Sequence, residues 1–140
     1  FQDTGAERII ASNPGTALFP TRDQDFGYGF GKLPDELASD DVIQRYLAAP
    51  LTLYLAREDN KEDEYLDVSK PGMRQGPGRL QRNRAAFAAA QDLAREKGWT
   101  CAWRVVEVPE VGHDHELMFR HELARDALFG PLTEAPEPAK

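Results

Sequence analysis

The sequence holds a single cysteine, Cys101, so no disulfide can form within the chain. Cys101 falls in a stretch read as a strand, where a free thiol serves as a small hydrophobe. No apolar run approaches the ~20 residues needed to cross a bilayer, and no signal-peptide pattern is present. The chain opens abruptly on Phe1 without a methionine, as expected of a truncated or processed chain. Positive charge is also in deficit. Lys and Arg number 17 against 24 Asp and Glu, a net charge of −7, which argues against the basic surface that nonspecific nucleic-acid binding requires. Serine is scarce as well: Ser12, Ser39 and Ser69 are the only three, and none sits in a Gly-x-Ser-x-Gly context.

What is present is enough for one domain. Apolar residues make up 41% of the 140 and charged residues 29%, neither a disordered nor a membrane composition. Residues 7–12 form a short apolar run closed by Asn13-Pro14-Gly15 and read as a buried strand. Residues 16–35 read as loop. A helix is expected at 40–48, capped by Asp40 or Asp41. Pro50 introduces the near-continuous apolar run 51–56, a strand covered on both faces. An acidic loop follows from Arg57 to about Gly76.

The clearest helix spans 79–97, with Ala86, Phe87, Ala90, Leu93 and Ala94 on one face and Gly98 closing it. Residues 101–108 read as the next strand, stopped by Pro109. A last helix is expected at 115–129, capped by Asp114, with Leu117, Met118, Ala124, Ala127 and Leu128 as its buried stripe. Residues 131–140 are a Pro-rich polar tail, expected to be disordered. Strand and helix alternate, so the strands should pair in parallel, with 51–56 and 101–108 adjacent and helix 79–97 crossing between them.

In such a sheet, function gathers beyond the carboxyl ends of the strands. Asp59 lies just past strand 51–56, and His113, in Val-Gly-His-Asp, lies just past strand 101–108. A neutral imidazole takes a proton near pH 7. A buried carboxylate fixes its tautomer and stabilises the imidazolium. Gly112 gives the backbone freedom to aim His113, and Asp114 holds the loop as a helix cap. The same spacing also fits a surface histidine in a turn beside an ordinary acidic loop.

Other patterns are weaker. Phe26, Tyr28 and Phe30 alternate with glycines; they either line an acyl or substrate pocket or form a packed aromatic loop. Asp59, Glu62, Asp63, Glu64 and Asp67 lack the glycine and terminal glutamate of an EF-hand loop and read as solvated. His113, Asp114, His115 and His121 lack metal-site spacing. Gly76-Pro77-Gly78 fits an anion site or a simple helix start.

The chain resembles the C-terminal half of an α/β-hydrolase, a doubly wound, mostly parallel sheet, over nearly all of residues 7–130. The matching stretches are Glu7 to Gly15, Leu51 to Asp59, Gln75 to Leu80 and Trp103 to Asp114. They are similar to bacterial esterase- or depolymerase-like serine hydrolases. The resemblance implies that residues 1–130 are the C-terminal portion of such a domain, that Asp59 is the triad acid and His113 the base, and that Glu58 is the alternative acid. Glu110 stands where the family often has glycine.

The resemblance also implies an activity: ester hydrolysis through an acyl-enzyme, on a small ester or acyl substrate, with no cofactor or metal. The nucleophile elbow and oxyanion donors are expected upstream of Phe1, in the missing N-terminal half or another chain, and the isolated chain should be inactive. Two rival readings stand beside it. One is a non-catalytic, degenerate hydrolase module used for binding or assembly. The other is the same fold with an upstream Asp or Cys as nucleophile.

Overall fold

A computed structural model describes residues 5–131 of the chain. The tail from 132 onward, for which disorder was expected, lies outside the described residues. Three parallel strands, β1 (Ile9–Ser12), β2 (Leu51–Ala56) and β3 (Arg104–Val108), form one sheet in the order β1-β2-β3. Their register pairs Ile9 with Leu51 and Ser12 with Tyr54 on one side of β2. On the other side it pairs Thr52 with Arg104 and Ala56 with Val108.

β2 is central, and its residues from Thr52 to Ala56 are all buried, which accounts for its near-continuous apolar run. The period-2 geometry of a strand sends alternate side chains to opposite faces. Tyr54 and Ala56 join Val106, Val108, Met118, Ala124 and Ala127 on one face. Leu53 and Leu55 pack with Leu80 on the other.

Between β2 and β3 the chain forms α2 (Lys70–Gln75) and α3 (Arg79–Lys97). α3 has the expected limits and ends on Gly98 in the left-handed conformation, with φ 68°. Ala86, Ala90 and Ala94 are its most buried apolar positions beyond the first turn, with Phe87 and Leu93 half-buried. α1 (Asp40–Ala48) precedes β2, and α4 (His115–Arg120) and α5 (Leu123–Phe129) follow β3.

Several local expectations change. The cap of α1 is Ser39, whose hydroxyl accepts the Val42 N–H, rather than Asp40 or Asp41. α2 lies inside the segment expected to be loop, capped by Ser69. β3 starts at Arg104 rather than 101: the Ala102 backbone N–H donates to the Leu47 carbonyl in α1 and not to β2, while the Trp103 indole N–H anchors that side chain on the Tyr46 carbonyl. Cys101 is therefore half-buried ahead of the strand. The helix expected at 115–129 breaks in two. His121 leaves the helical region at ψ 145°, and its Nδ1 accepts the Leu123 N–H. Leu117, placed in the buried stripe by periodicity, is exposed.

β1 closes with a substitution in its ladder. The Asn13 N–H donates to the Tyr54 carbonyl at 3.1 Å, and its side-chain Oδ1 then accepts the Ala56 N–H at 2.7 Å. The side chain stands where a strand carbonyl would, while the backbone turns away at φ 44°. Asn tolerates that conformation better than most residues.

Candidate active site

The site is assembled where β2 and β3 end together. Past the last register pair, Ala56 with Val108, the two loops stay joined. The Arg57 N–H donates to the Val108 carbonyl and the Glu58 N–H to the Val111 carbonyl, both at 2.9 Å. The Asp59 carbonyl then accepts the Leu80 N–H at 3.1 Å, satisfying a free amide in the first turn of α3. The N-cap residue of that helix is Gly78. A Cβ there would sit 2.9 Å from the Asn60 carbonyl carbon, so glycine lets the Asp59–Asn60 turn press against the helix start.

On the partner loop, Asp114 caps α4 by accepting the Leu117 N–H at 3.0 Å. The Tyr54 hydroxyl, beneath it, donates to the Met118 carbonyl. The loop's turn is made at Glu110, with φ 58°, and not at Gly112, which lies outside the left-handed region. A glutamate therefore occupies the conformation glycine adopts most easily.

These supports bring His113 Nδ1 to 2.7 Å from Asp59 Oδ2, across 54 residues of sequence. Their environments differ. The Asp59 side chain is 2% exposed and that of His113 45%, so the acid is hidden and the imidazole opens to solvent. The Glu58 side chain is exposed. His113 borders a cavity of about 230 Å³ lined also by Ser12, Asn13, Asp114, His115 and Phe119. If Asp59 accepts the Nδ1 proton, Nε2 keeps its lone pair and can act as a base.

Sequence reasoning missed the other partner of Asp59. Arg79 donates to Asp59 Oδ1 at 3.2 Å and to both oxygens of Asp63, at 2.6 and 2.9 Å. Its hydrogen bonds hold the Asp63 carboxyl well below the usual carboxylate range, and the Asp63 bonds push the Arg79 guanidinium up. A signal for this was present. Arg79 opens α3, where the helix dipole disfavours a cation, and no acidic residue of the helix's own first turn offsets it.

The acidic loop is thus not simply solvated. Asp59 and Asp63 hold Arg79, while Asp67 accepts from the Tyr28 hydroxyl at 2.7 Å and from the Ser69 N–H. The three aromatic candidates are not among the residues lining the His113 cavity. Phe30 is buried with Val42 and Ile43, Tyr28 is tied to Asp67, and Phe26 is exposed. Ser12 borders the cavity, whereas Ser39 and Ser69 cap helices. Among the described residues no group of three or more His, Cys, Asp or Glu is gathered as for a metal ion. Among them, too, no helix is long and apolar enough to cross a membrane.

Comparison with solved structures places the fold. The chain is similar to LpqC, a poly(3-hydroxybutyrate) depolymerase from Bordetella parapertussis, with TM-score 0.77 and 29% identity over 94% of this chain and 43% of that one. It is also similar in fold to poly(aspartic acid) hydrolase-1 from Sphingomonas sp. KT-1, with TM-score 0.74 and 24% identity over 84% of this chain and 44% of that one. The chain therefore spans less than half the length of either. No protein-family model matches it, and no curated protein matches it by sequence. The fold is α/β, with the parallel sheet of a hydrolase-type fold.

Proposed function

We propose that this chain supplies the acid and base of an ester hydrolase whose serine nucleophile lies in sequence upstream of Phe1. The observation that carries the reading is the 2.7 Å contact between a buried Asp59 carboxylate and a half-exposed His113 imidazole, beyond the ends of adjacent parallel strands. The likeness to two hydrolases supports the reaction class.

In this reading Asp59 accepts the Nδ1 proton and orients the ring. His113 Nε2 takes the proton of the attacking hydroxyl and later returns it to the leaving alcohol. Asp59 stays ionised and stabilises the imidazolium between those steps. An acyl-enzyme then forms on the serine and is released by water through the same base. Ser12 faces the His113 cavity but lies on a strand, without the strained strand-to-helix turn that exposes such a nucleophile. The substrate is an ester or acyl compound.

The test compares the 140-residue chain with the domain extended by its upstream sequence. The extended domain should hydrolyse an activated ester and be labelled by a serine-reactive probe at an upstream serine; the short chain should do neither. Hydrolysis by the highly purified short chain, abolished by that probe, would place the nucleophile within it and overturn the assignment. An extended domain without activity would favour a binding or assembly module.

A further inference from the structure

Arg79 occupies a costly position. Its side chain is 3% exposed, and a buried cation is tolerated only when paired and hydrogen-bonded. It lies between two carboxylates of the loop after β2, one buried and one partly exposed. Asp63, 35% exposed, receives two of its N–H groups; Asp59, buried, receives one. The other oxygen of Asp59 meets His113. Asp63, Arg79, Asp59 and His113 thus form a series running from the surface, through the interior, to the half-exposed imidazole.

We propose that Arg79 is a positioning residue for His113, acting through Asp59, and that Asp63 tunes its grip from the solvent side. The inference rests on the reading of Asp59 and His113 as an acid–base pair. By holding Oδ1, the guanidinium fixes the carboxylate plane so that Oδ2 faces Nδ1. It also takes up part of the carboxylate's charge, moderating the attraction of Asp59 for a proton on the ring. Asp63 draws Arg79 the other way. It receives the two shorter bonds, leaving Asp59 the longer one and more of its charge for the imidazole.

Among the residues lining its cavity, the other titratable ones are Asp114 and His115, on the α4 side, and Asp63 also acts on His113 through space as an unlike charge. Ser12 and Asn13, from the end of β1, bring no charge. Removing Arg79 therefore favours protonation of His113, and removing Asp63 disfavours it. Two substitutions at one ion pair should act on the imidazole in opposite directions. Loss of a merely structural contact predicts no such opposition.

The experiment follows the imidazole titration of His113 by NMR in the 140-residue chain, with His121 as an internal reference and His113→Gln for assignment. Arg79→Met should raise the titration midpoint and Asp63→Asn should lower it, each by roughly threefold to tenfold in proton affinity. Arg79→Lys keeps the charge without the planar fork and should bring the midpoint back toward the parent value. Shifts of the same sign, or no shift in either variant, overturn the proposal. If Arg79→Met does not fold, as its amide spectrum will show, Asp63→Asn decides alone: a lower midpoint supports the proposal, and an unchanged or higher one overturns it. The titration needs no turnover. An inactive extended domain would defeat the hydrolase reading while leaving this result to stand or fall separately.

Discussion

Asp59 and His113 meet at 2.7 Å because each follows the end of one of two strands that lie side by side and stop at the same level, Ala56 opposite Val108. Their contact needs little reach from the side chains. Hydrogen bonds between the Arg57–Glu58 and Val108–Val111 segments have already brought the two loops together.

Asp59, and not Glu58, should be the acid of the pair. In the extended domain, Asp59→Asn should lower kcat by about a thousandfold to ten-thousandfold, since an amide favours the wrong ring tautomer. Glu58→Gln, at an exposed position, should change it less than about threefold. Steady-state kinetics on an activated ester distinguish them, and a reversed order would reassign the acid.

Asp63 should make stability depend on acid. Its carboxyl is held below its ordinary value by the Arg79 hydrogen bonds. A depressed carboxylate contributes stability that is present above the unfolded pKa, near 4, and is lost as pH falls through the folded value. Asp63→Asn should therefore be less stable than the parent at pH 7, with the gap narrowing below about pH 4. Urea midpoints taken across that range check this. A gap that stays constant into strong acid would mean that Asp63 acts by packing alone.

Glu110 holds the loop before His113 in a conformation that disfavours side chains. Glu110→Gly should be neutral or stabilising by up to about 1 kcal/mol. Glu110→Val should destabilise by about 1–2 kcal/mol, because a β-branched residue fits that region worst. Thermal melts of the two variants settle the order, and a destabilising glycine would assign the glutamate side chain a contact of its own.

β1 is an edge strand, and no described strand pairs with its outer side. Ile9 and Asn13 donate toward β2, so the alternation of a strand turns the N–H groups of Ile10 and Ser12 outward. On this part of the fold an apolar cavity of about 190 Å³ lies among Ala11, Leu18, Leu51, Leu53 and Trp103. We expect the working protein to cover this edge with another strand, from further sequence or another chain. In the isolated chain, the Ile10 and Ser12 amides should exchange with solvent much faster than Ala11, and sedimentation should show association. A compact monomer with both amides protected would instead make this a self-sufficient minimal domain.

Much of this protein is written locally. The buried run 51–56, the long helix opened after Gly78 and closed at Gly98, and the Asp114 cap all depend on neighbours a few residues away, so period and capping reveal them. Asp59 and His113 were legible for the same reason: each stands at a fixed distance beyond a strand, and strand–helix alternation implies parallel pairing.

What only the tertiary structure decided is every arrangement whose energy comes from groups far apart in sequence. The start of β3 at Arg104 depends on α1 capturing the Ala102 backbone N–H. Asp63 and Asp67 read as solvated acids until Arg79 and the Tyr28 hydroxyl arrive beside them. Arg79 itself looks like a surface residue of an amphipathic helix. It becomes the partner of Asp59 because the tight approach at Gly78 sets the helix start against the strand end, burying a cation that Asp59 and Asp63 balance.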